Sequence, residues 1–312
     1  MSLIERAIQR VRDGAPHAGT SFPAFAGVRA TRAIRPSEGA DGLAVESIDA
    51  APEPRRVVAI DRVALADAGL LPPPAEAARF ARQYRRVKFP LIEALRDRAV
   101  APRGNLILIA SALPGEGKTF TATNLALSLA RERDVEVLLV DGDVAKPQIS
   151  AALGLGDEPG LIDALADASL DVASLIVGTD VRHLGVLPAG RAHEDSATEL
   201  LSSARMKDLL ARLVASRPNR LVVFDSPPLL ATTESHVLAR LAGQIVLVVR
   251  SGETPRAAVL AAVHTLGDHR PIGVVLNHVR RETAGYHGYG AYGGYGRERA
   301  DDGEPVTDER TQ

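Results

Sequence analysis

From residue 105 onward, short runs of apolar residues alternate with helical patterns. Fully apolar strands separated by helices are typical of a sheet with both faces covered, so the pattern predicts an α/β fold with a mostly parallel sheet. Amphipathic spacing predicts helices over residues 118–131, 197–215, 233–242 and 254–266. Apolar runs predict strands over residues 105–110, 135–140, 184–187, 220–224, 244–249 and 272–276.

The N-terminal third of the chain has weaker periodicity. Residues 3–12 have the spacing of a short amphipathic helix. Residues 13–74 are rich in Ala, Pro, Gly and Arg, which indicates a flexible linker apart from a short strand near residues 56–60. Residues 75–98 return to helical spacing, and Pro90 is expected to kink or divide that helix. Its apolar face consists of Phe80, Tyr84, Val87, Leu91 and Ile92.

Tyrosine is concentrated near the C-terminal end of the chain. Residues 285–296 hold six glycines and no aliphatic side chain larger than alanine, so nothing there could bury an aromatic ring. This composition predicts a flexible, disordered tail over residues 284–312, either a row of accessible hydroxyls or a low-complexity segment without chemistry. Four tyrosines recur there at every third residue: Tyr286, Tyr289, Tyr292 and Tyr295.

A phosphate-binding loop joins the predicted strand 105–110 to the predicted helix that begins at Lys118. Backbone N–H groups and the positive end of a helix surround phosphates in such a loop. Lys118 would neutralise phosphate oxygens, and the Thr119 hydroxyl would ligate Mg²⁺. The position six residues before Lys118 usually holds glycine, but here it is Ala112. The predicted nucleotide-binding residues are Pro114, Gly115, Glu116, Gly117, Lys118, Thr119 and Phe120.

Acidic residues follow two other predicted strands. Asp141 and Asp143 come directly after strand 135–140, and Asp225 comes after strand 220–224. A single aspartate at such a place is usually a helix cap or turn residue. Three of them at the same sheet edge as a phosphate loop favour a different role, because Mg·ATP needs oxygen ligands and an acceptor hydroxyl needs a proton acceptor.

Composition excludes several classes of function. The formal net charge is −2 without runs of like charge, which gives no support to a nucleic-acid partner. There is no cysteine, so disulfides, thiolate catalysis and cysteine metal sites are excluded. The apolar runs are far shorter than the roughly 18 residues of a membrane span. We expect a soluble, cytoplasmic protein, with recruitment to the inner face of the membrane by a partner as a further expectation.

These motifs resemble those of the bacterial tyrosine kinases, a P-loop family unrelated to eukaryotic protein kinases. The similarity is to the exosortase-associated tyrosine autokinases of exopolysaccharide gene clusters; it includes the opening Met-Ser-Leu-Ile-Glu-Arg and the tyrosine tail, and is densest over residues 105–280. It implies that Lys118 and Thr119 hold Mg·ATP. It also implies that Asp141 and Asp143 supply metal binding and the catalytic base, that Asp225 completes the metal site, and that Asn277 lies near the adenine. From the residues alone, Asn277 is equally a turn residue at a strand end.

Two positions depart from the family pattern. The second acidic motif usually continues Asp-x-Asp-x-Arg, but position 145 is Ala, and Lys146 is the nearest cation. The helix through which family members form rings usually reads Glu-x-x-Arg-x-x-Arg; here Arg82 replaces the glutamate, followed by Arg85 and Lys88. The geometry of a ring is therefore the weakest expectation, and these three cations are alternatively a solvated helix face.

Two rival functions use the same kind of site. Partitioning and positioning ATPases carry a signature lysine five residues before the loop lysine, and this chain has Leu113 there. The second rival is a nucleotide-dependent scaffold of a polysaccharide assembly with little phosphotransfer. Such a scaffold would have the same loop, so the sequence distinguishes it poorly from a kinase.

The sequence thus predicts an ATP- and Mg²⁺-dependent tyrosine autokinase that acts on its own tail and regulates exopolysaccharide biosynthesis or export. The expected organisation is an N-terminal helix and linker (1–74), a P-loop kinase domain (75–283) and a tyrosine-rich tail (284–312). The expected partners are further copies of the chain, with a tail long enough for transfer between subunits, a membrane polysaccharide co-polymerase and an opposing tyrosine phosphatase.

Overall fold

The computed structural model describes residues 56–96, 103–191, 197–215, 217, 219–267 and 270–279. All of them belong to one compact unit, Ala51–Gln312. The predicted N-terminal helix at residues 3–12 and the tail with its four tyrosines lie outside the described residues.

An eight-stranded sheet forms the centre of the described residues. The strands are β1 (Val57–Val58), β2 (Leu106–Ser111), β3 (Glu136–Asp141), β4 (Val177–Thr179), β5 (Leu184–Leu187), β6 (Arg220–Asp225), β7 (Gln244–Arg250) and β8 (Ile272–Asn277). Their order in the sheet is β1-β4-β5-β3-β6-β2-β7-β8. All neighbouring strands pair in parallel except β4 and β5, which are antiparallel, so the predicted mostly parallel α/β fold is confirmed.

Nine α-helices occur among these described residues, together with short 3₁₀ turns at Pro74–Glu76 and Val172–Leu175. The central strands β2, β3 and β6 are almost entirely buried, as their continuous apolar sequences predict. The helices are α1 (Arg62–Asp67), α2 (Ala77–Arg96), α3 (Lys118–Leu129), α4 (Gln148–Ala152), α5 (Leu161–Ala166), α6 (Ala197–Leu201), α7 (Ala204–Ala215), α8 (Glu234–Leu241) and α9 (Arg256–Leu266).

The predicted single helix over residues 197–215 is in fact two helices, α6 and α7. Ser203 separates them: its hydroxyl donates to the carbonyl of Leu200 and accepts from the N–H of Met206 at 3.3 Å. Serine favours this position because its oxygen satisfies an N–H that has no partner within the helix. The short elements α4, α5 and β4 were not predicted, because three to six residues are too few to show a period.

Residues 56–74 correct the interpretation of residues 13–74 as mainly a linker. Helix α1 begins after Asp61, whose carboxylate accepts from the N–H groups of Val63 and Ala64. Leu65, Leu70 and Leu71 are buried in the core of the domain. The predicted short strand near residues 56–60 is present as β1. Composition suggested a linker because the three leucines that anchor this segment are too few to form a pattern.

Helix α2 is continuous through Pro90, so of the two expected effects, a kink or a division, the division is wrong. Its predicted apolar face is confirmed: Tyr84 and Leu91 are buried, and Phe80, Val87 and Ile92 pack against the same core. Lys88 is not on a solvated face, because it is 8% exposed and its ammonium group donates to the carbonyl of Ser128 at 2.8 Å and pairs with Glu132.

No helix in the part of the chain that the structure describes is long and apolar enough to cross a membrane.

Candidate nucleotide site

The sheet topology brings the predicted site residues together. Strands β3, β6 and β2 are neighbours and run parallel, so their carboxyl ends lie at the same edge. In this register Asp141 lies opposite Asp225, and Asp225 lies opposite Ile109 of β2. The phosphate loop starts at the end of β2. The three motifs are therefore parts of one site.

The conformation of the loop requires its two inner glycines. Gly115 and Gly117 have φ values of +76° and +91°, which are strained for any residue with a Cβ. A Cβ at Gly117 would also lie 2.0 Å from Nδ2 of Asn277. Ala112, which departs from the common pattern, has no positive φ and is fully buried, so glycine is not needed there.

Lys118 is the first residue of α3 and is only 6% exposed. Its Nζ donates to the Ser111 hydroxyl at 3.0 Å, and that hydroxyl donates to the carbonyl of Leu113 at 2.7 Å. Burial lowers the pKa of Lys118, while the carboxylates of Asp225 and Asp143 act in the opposite direction. Ser111 was not predicted as a site residue, although its position directly before the loop is a usable signal.

Asp141 has two differently placed carboxylate oxygens. Oδ2 accepts from the N–H of Ser150 at 2.8 Å and from its hydroxyl at 2.7 Å. Within the described residues, Oδ1 is buried and has no hydrogen-bond partner. Burial raises the pKa of Asp141 to about 6, against the bonds from Ser150. Oδ2 thus accepts from Ser150 near the N-terminus of α4, whereas Oδ1 is available to a ligand. Ser150 carries no sequence signal for this role.

Asp225 is 1% exposed, and its Oδ1 is likewise buried without a partner in the described chain. Burial and the nearby Asp141 raise its pKa; the Thr119 side chain and Lys118 oppose that change. Asp143 is less enclosed. Burial also raises the pKa of Asp143, with Lys118 and Lys146 opposing.

These donors fit a hard cation such as Mg²⁺. Asp141 and Asp225 each have one carboxylate oxygen without a partner among the described residues, and both lie at one sheet edge near the Thr119 hydroxyl. Oxygen is the ligand that Mg²⁺ prefers. In the described part of the chain, no three His, Asp or Glu residues are grouped closely enough to hold a metal by themselves. Mg²⁺ usually keeps several waters and takes phosphate oxygens, so a few protein ligands suffice.

A cavity of about 670 Å³ opens at this edge of the sheet. Six of the loop residues predicted to bind nucleotide line it: Pro114, Gly115, Gly117, Lys118, Thr119 and Phe120. Asp143, Lys146, Pro228 and Glu234 also line this cavity. Ala68, Gly69 and Leu70 form a further wall that the sequence interpretation missed, because they belong to the segment taken for a linker.

A second cavity of about 850 Å³ adjoins the first, and both are lined by Gly69, Gly117 and Phe120. Asn277 and His278 line the second cavity. The Phe120 ring meets that of Phe80 edge to face at 5.5 Å, which fixes the wall between α2 and α3. Asn277 contacts the phosphate loop directly: its Nδ2 donates to the carbonyl of Glu116 at 3.0 Å.

Glu116 differs from the other predicted loop residues. Its side chain is 2% exposed and accepts from the N–H of Leu113 and the hydroxyl of Thr254. These bonds hold the carboxylate within the protein, so any contact of Glu116 with phosphate would come from its backbone.

Comparison with known proteins gives consistent matches. The AAA domain family model matches residues 104–259. The tyrosine-protein kinase YwqD of Bacillus subtilis is 33% identical over 66% of this chain and 84% of its own length. The succinoglycan biosynthesis transport protein ExoP of Rhizobium meliloti is 31% identical over 65% of this chain. The chain covers only 25% of ExoP, which is much longer.

Among solved structures, the kinase domain of the Escherichia coli tyrosine kinase ETK superposes with a TM-score of 0.57. It is 27% identical, and the match covers 70% of this chain and 80% of that chain.

Proposed function

The chain belongs to the bacterial tyrosine kinases, and we propose that it is an ATP- and Mg²⁺-dependent autokinase that phosphorylates the tyrosine cluster of its own tail. One observation carries the proposal: in a member of this family, two buried carboxylates at the phosphate-loop edge of the sheet each have an oxygen without a partner among the described residues. In a site that bound nucleotide only as a structural element, buried carboxylate oxygens without a hydrogen-bond partner would lower stability without contributing to a reaction.

In this proposal the phosphate loop holds the triphosphate. Backbone N–H groups of residues 115–119 and the N-terminus of α3 surround the phosphates, and Lys118 neutralises the β- and γ-oxygens. The adenosine extends past Phe120 into the second cavity, toward Asn277. Thr119, Asp141 and Asp225 would hold Mg²⁺, which neutralises phosphate charge when it is bound.

Transfer requires a base for the acceptor hydroxyl. Asp143 lines the cavity, whereas Asp141 is completely buried, so Asp143 is the better placed of the two to accept the proton. As a bond forms between the tyrosine oxygen and the γ-phosphorus, the bond to the β,γ-bridging oxygen breaks and ADP leaves. The phenolic proton passes to the Asp143 carboxylate.

The acceptors in this proposal are Tyr286, Tyr289, Tyr292 and Tyr295. Each is next to glycine, so the four hydroxyls have similar neighbours in the sequence and would be similar substrates for one site. The tail follows β8 by a few residues, and a neighbouring subunit is as reachable as the subunit's own site.

The biological setting is part of the proposal. ExoP is named as a succinoglycan biosynthesis transport protein, and because succinoglycan is a polysaccharide this name supports a role for this chain in the synthesis or export of an exopolysaccharide. We propose that a membrane co-polymerase recruits and activates the kinase and that a tyrosine phosphatase reverses its action.

Mass spectrometry of the purified chain after incubation with Mg·ATP tests the activity. We expect phosphate on the tail tyrosines, lost when all four are replaced by Phe and absent from a folded Lys118→Ala variant. Phosphate confined to Ser, Thr or Tyr84 would contradict the proposed acceptors. Nucleotide binding without any phosphotyrosine would favour the scaffold alternative.

A further inference from the structure

The phosphate loop contains a buried carboxylate of its own, that of Glu116, which is 2% exposed. Oε2 accepts from the N–H of Leu113 at 2.6 Å, which closes the loop on itself. Oε1 accepts from the hydroxyl of Thr254, a residue in the turn between β7 and α9. Both oxygens are thus occupied by donors from the protein.

The bond to Thr254 ties the loop to the end of a strand. The Thr254 hydroxyl accepts from the N–H of Arg250, the last residue of β7, at 3.0 Å. The chain of bonds therefore runs from Arg250 through Thr254 to Glu116. Bonds in such a chain polarise one another, and a charged acceptor at its end makes it stronger than a neutral one would.

Asn277 attaches the same part of the loop to the last strand of the sheet. The side-chain Nδ2 of Asn277 donates to the backbone carbonyl of Glu116. The backbone carbonyl of Asn277 accepts from the N–H of Ser251 at 2.9 Å. The amide also lies against Gly117, where no Cβ would fit. Residues 116 and 117 are consequently held from β7 and from β8.

A carboxylate in an anion-binding loop needs a physical reason, because its charge repels phosphate. The negative charge of Glu116 acts to raise the pKa of Lys118, so Glu116 is close enough to the phosphate-binding lysine to affect it electrostatically. A carboxylate can accept hydrogen bonds on both of its oxygens at once. Glutamine would present its NH₂ group to one of the two donors, and alanine would leave both Leu113 N–H and Thr254 O–H without this partner.

We infer that Glu116 is a positioning residue, which with Thr254 holds the phosphate loop in its phosphate-binding shape and aligns it with the end of the sheet. This inference rests on the proposed function for the identity of the nucleotide. It assigns to Thr254, which lies 138 residues away in the chain, a role in nucleotide affinity without contact with the nucleotide.

Calorimetric titration of the full chain with Mg·ADP tests the inference independently of phosphotransfer. Glu116→Ala and Thr254→Val should each weaken binding about tenfold. Because the two residues act through one bond, the double variant should be no weaker than Glu116→Ala alone. Thr254→Ser retains the hydroxyl and should bind as the wild type does, and Glu116→Gln should lie between wild type and Glu116→Ala. Circular dichroism would confirm that each variant is folded.

A purely electrostatic role predicts the opposite sign. If Glu116 only contributed negative charge, Glu116→Gln and Glu116→Ala would both bind Mg·ADP more tightly, and Thr254→Val would have no effect. Either result in folded protein overturns the inference. A wild-type chain that binds Mg·ADP but forms no phosphotyrosine would overturn the proposed function and leave this inference intact.

Discussion

The candidate site has two kinds of buried carboxylate, one at the strand ends and one within the phosphate loop, and they differ in how many of their oxygens accept a hydrogen bond. Asp141 and Asp225, at the ends of β3 and β6, each have one buried oxygen without a partner among the described residues. Glu116, in the loop itself, has a donor on each oxygen. All three are at most 2% exposed, so burial does not distinguish them.

The difference separates residues that serve a ligand from residues that shape the site. A buried acceptor without a partner lowers the stability of the fold. Such an acceptor is therefore expected where its oxygen binds a ligand. A carboxylate with both oxygens bonded contributes to the stability of the loop instead. The comparison predicts that neutralising the two kinds of residue changes activity and stability in different combinations.

The largest expected effect comes from the strand-end aspartates. Asp141→Asn and Asp225→Asn keep the side-chain volume and remove the charge. Each should reduce tail phosphorylation by roughly 100-fold or more, because the metal that neutralises the phosphate charge would be bound less well. Initial rates measured over a range of Mg²⁺ concentrations test this. Wild-type rates and an unchanged Mg²⁺ dependence in both variants would remove these residues from the site.

Stability should change in opposite directions for the two sets. Burial and the adjacent Asp141 disfavour the charged form of Asp225, so Asp225→Asn should raise the free energy of unfolding of the nucleotide-free protein by about 1 kcal/mol. Glu116→Ala should lower it by about 1–3 kcal/mol, because it leaves buried donors without a partner. For a chain of this size, 1 kcal/mol is roughly 2–4 °C in Tm. Thermal melts in which both variants move in the same direction would contradict the comparison.

A smaller effect is expected from Ser150, which holds the satisfied oxygen of Asp141. Ser150→Ala removes one of the two bonds to Oδ2 and leaves the backbone N–H bond, so the carboxylate should be less well oriented. We expect phosphorylation to fall by about three- to tenfold. Ser174→Ala is a control for the loss of a serine hydroxyl outside the site, since that hydroxyl donates to the backbone carbonyl of Asp171 at 2.7 Å. Equal effects from both variants would exclude a specific role for Ser150.

The smallest effect is expected from Tyr84, the tyrosine outside the tail. It is 6% exposed, and burial raises its pKa to about 12, so its hydroxyl is a poor acceptor of phosphate. Tyr84→Phe should leave the total phosphate incorporated per chain unchanged. Phosphopeptide mapping that finds label on Tyr84 in folded wild-type protein would disprove this.

Much of the architecture follows from the sequence alone, because its cause is local. Six of the eight strands were predicted to within one residue at each end, since buried parallel strands are continuous apolar runs. Lys118 and the strand-end aspartates could be placed in one site because the carboxyl ends of parallel strands lie at the same edge of the sheet. The two inner glycines of the loop follow from its tight turn.

Only the tertiary structure decided how the individual side chains are used. Glu116 bonds to Thr254, Asp141 to Ser150 and Lys88 to Ser128, over separations of nine to 138 residues. No period or spacing in the sequence records such contacts. For the same reason, the segment around Leu70 looked like a linker, although it packs in the core and lines the nucleotide cavity. Whether an acidic oxygen awaits a ligand or supports a loop depends on which donors the fold brings to it.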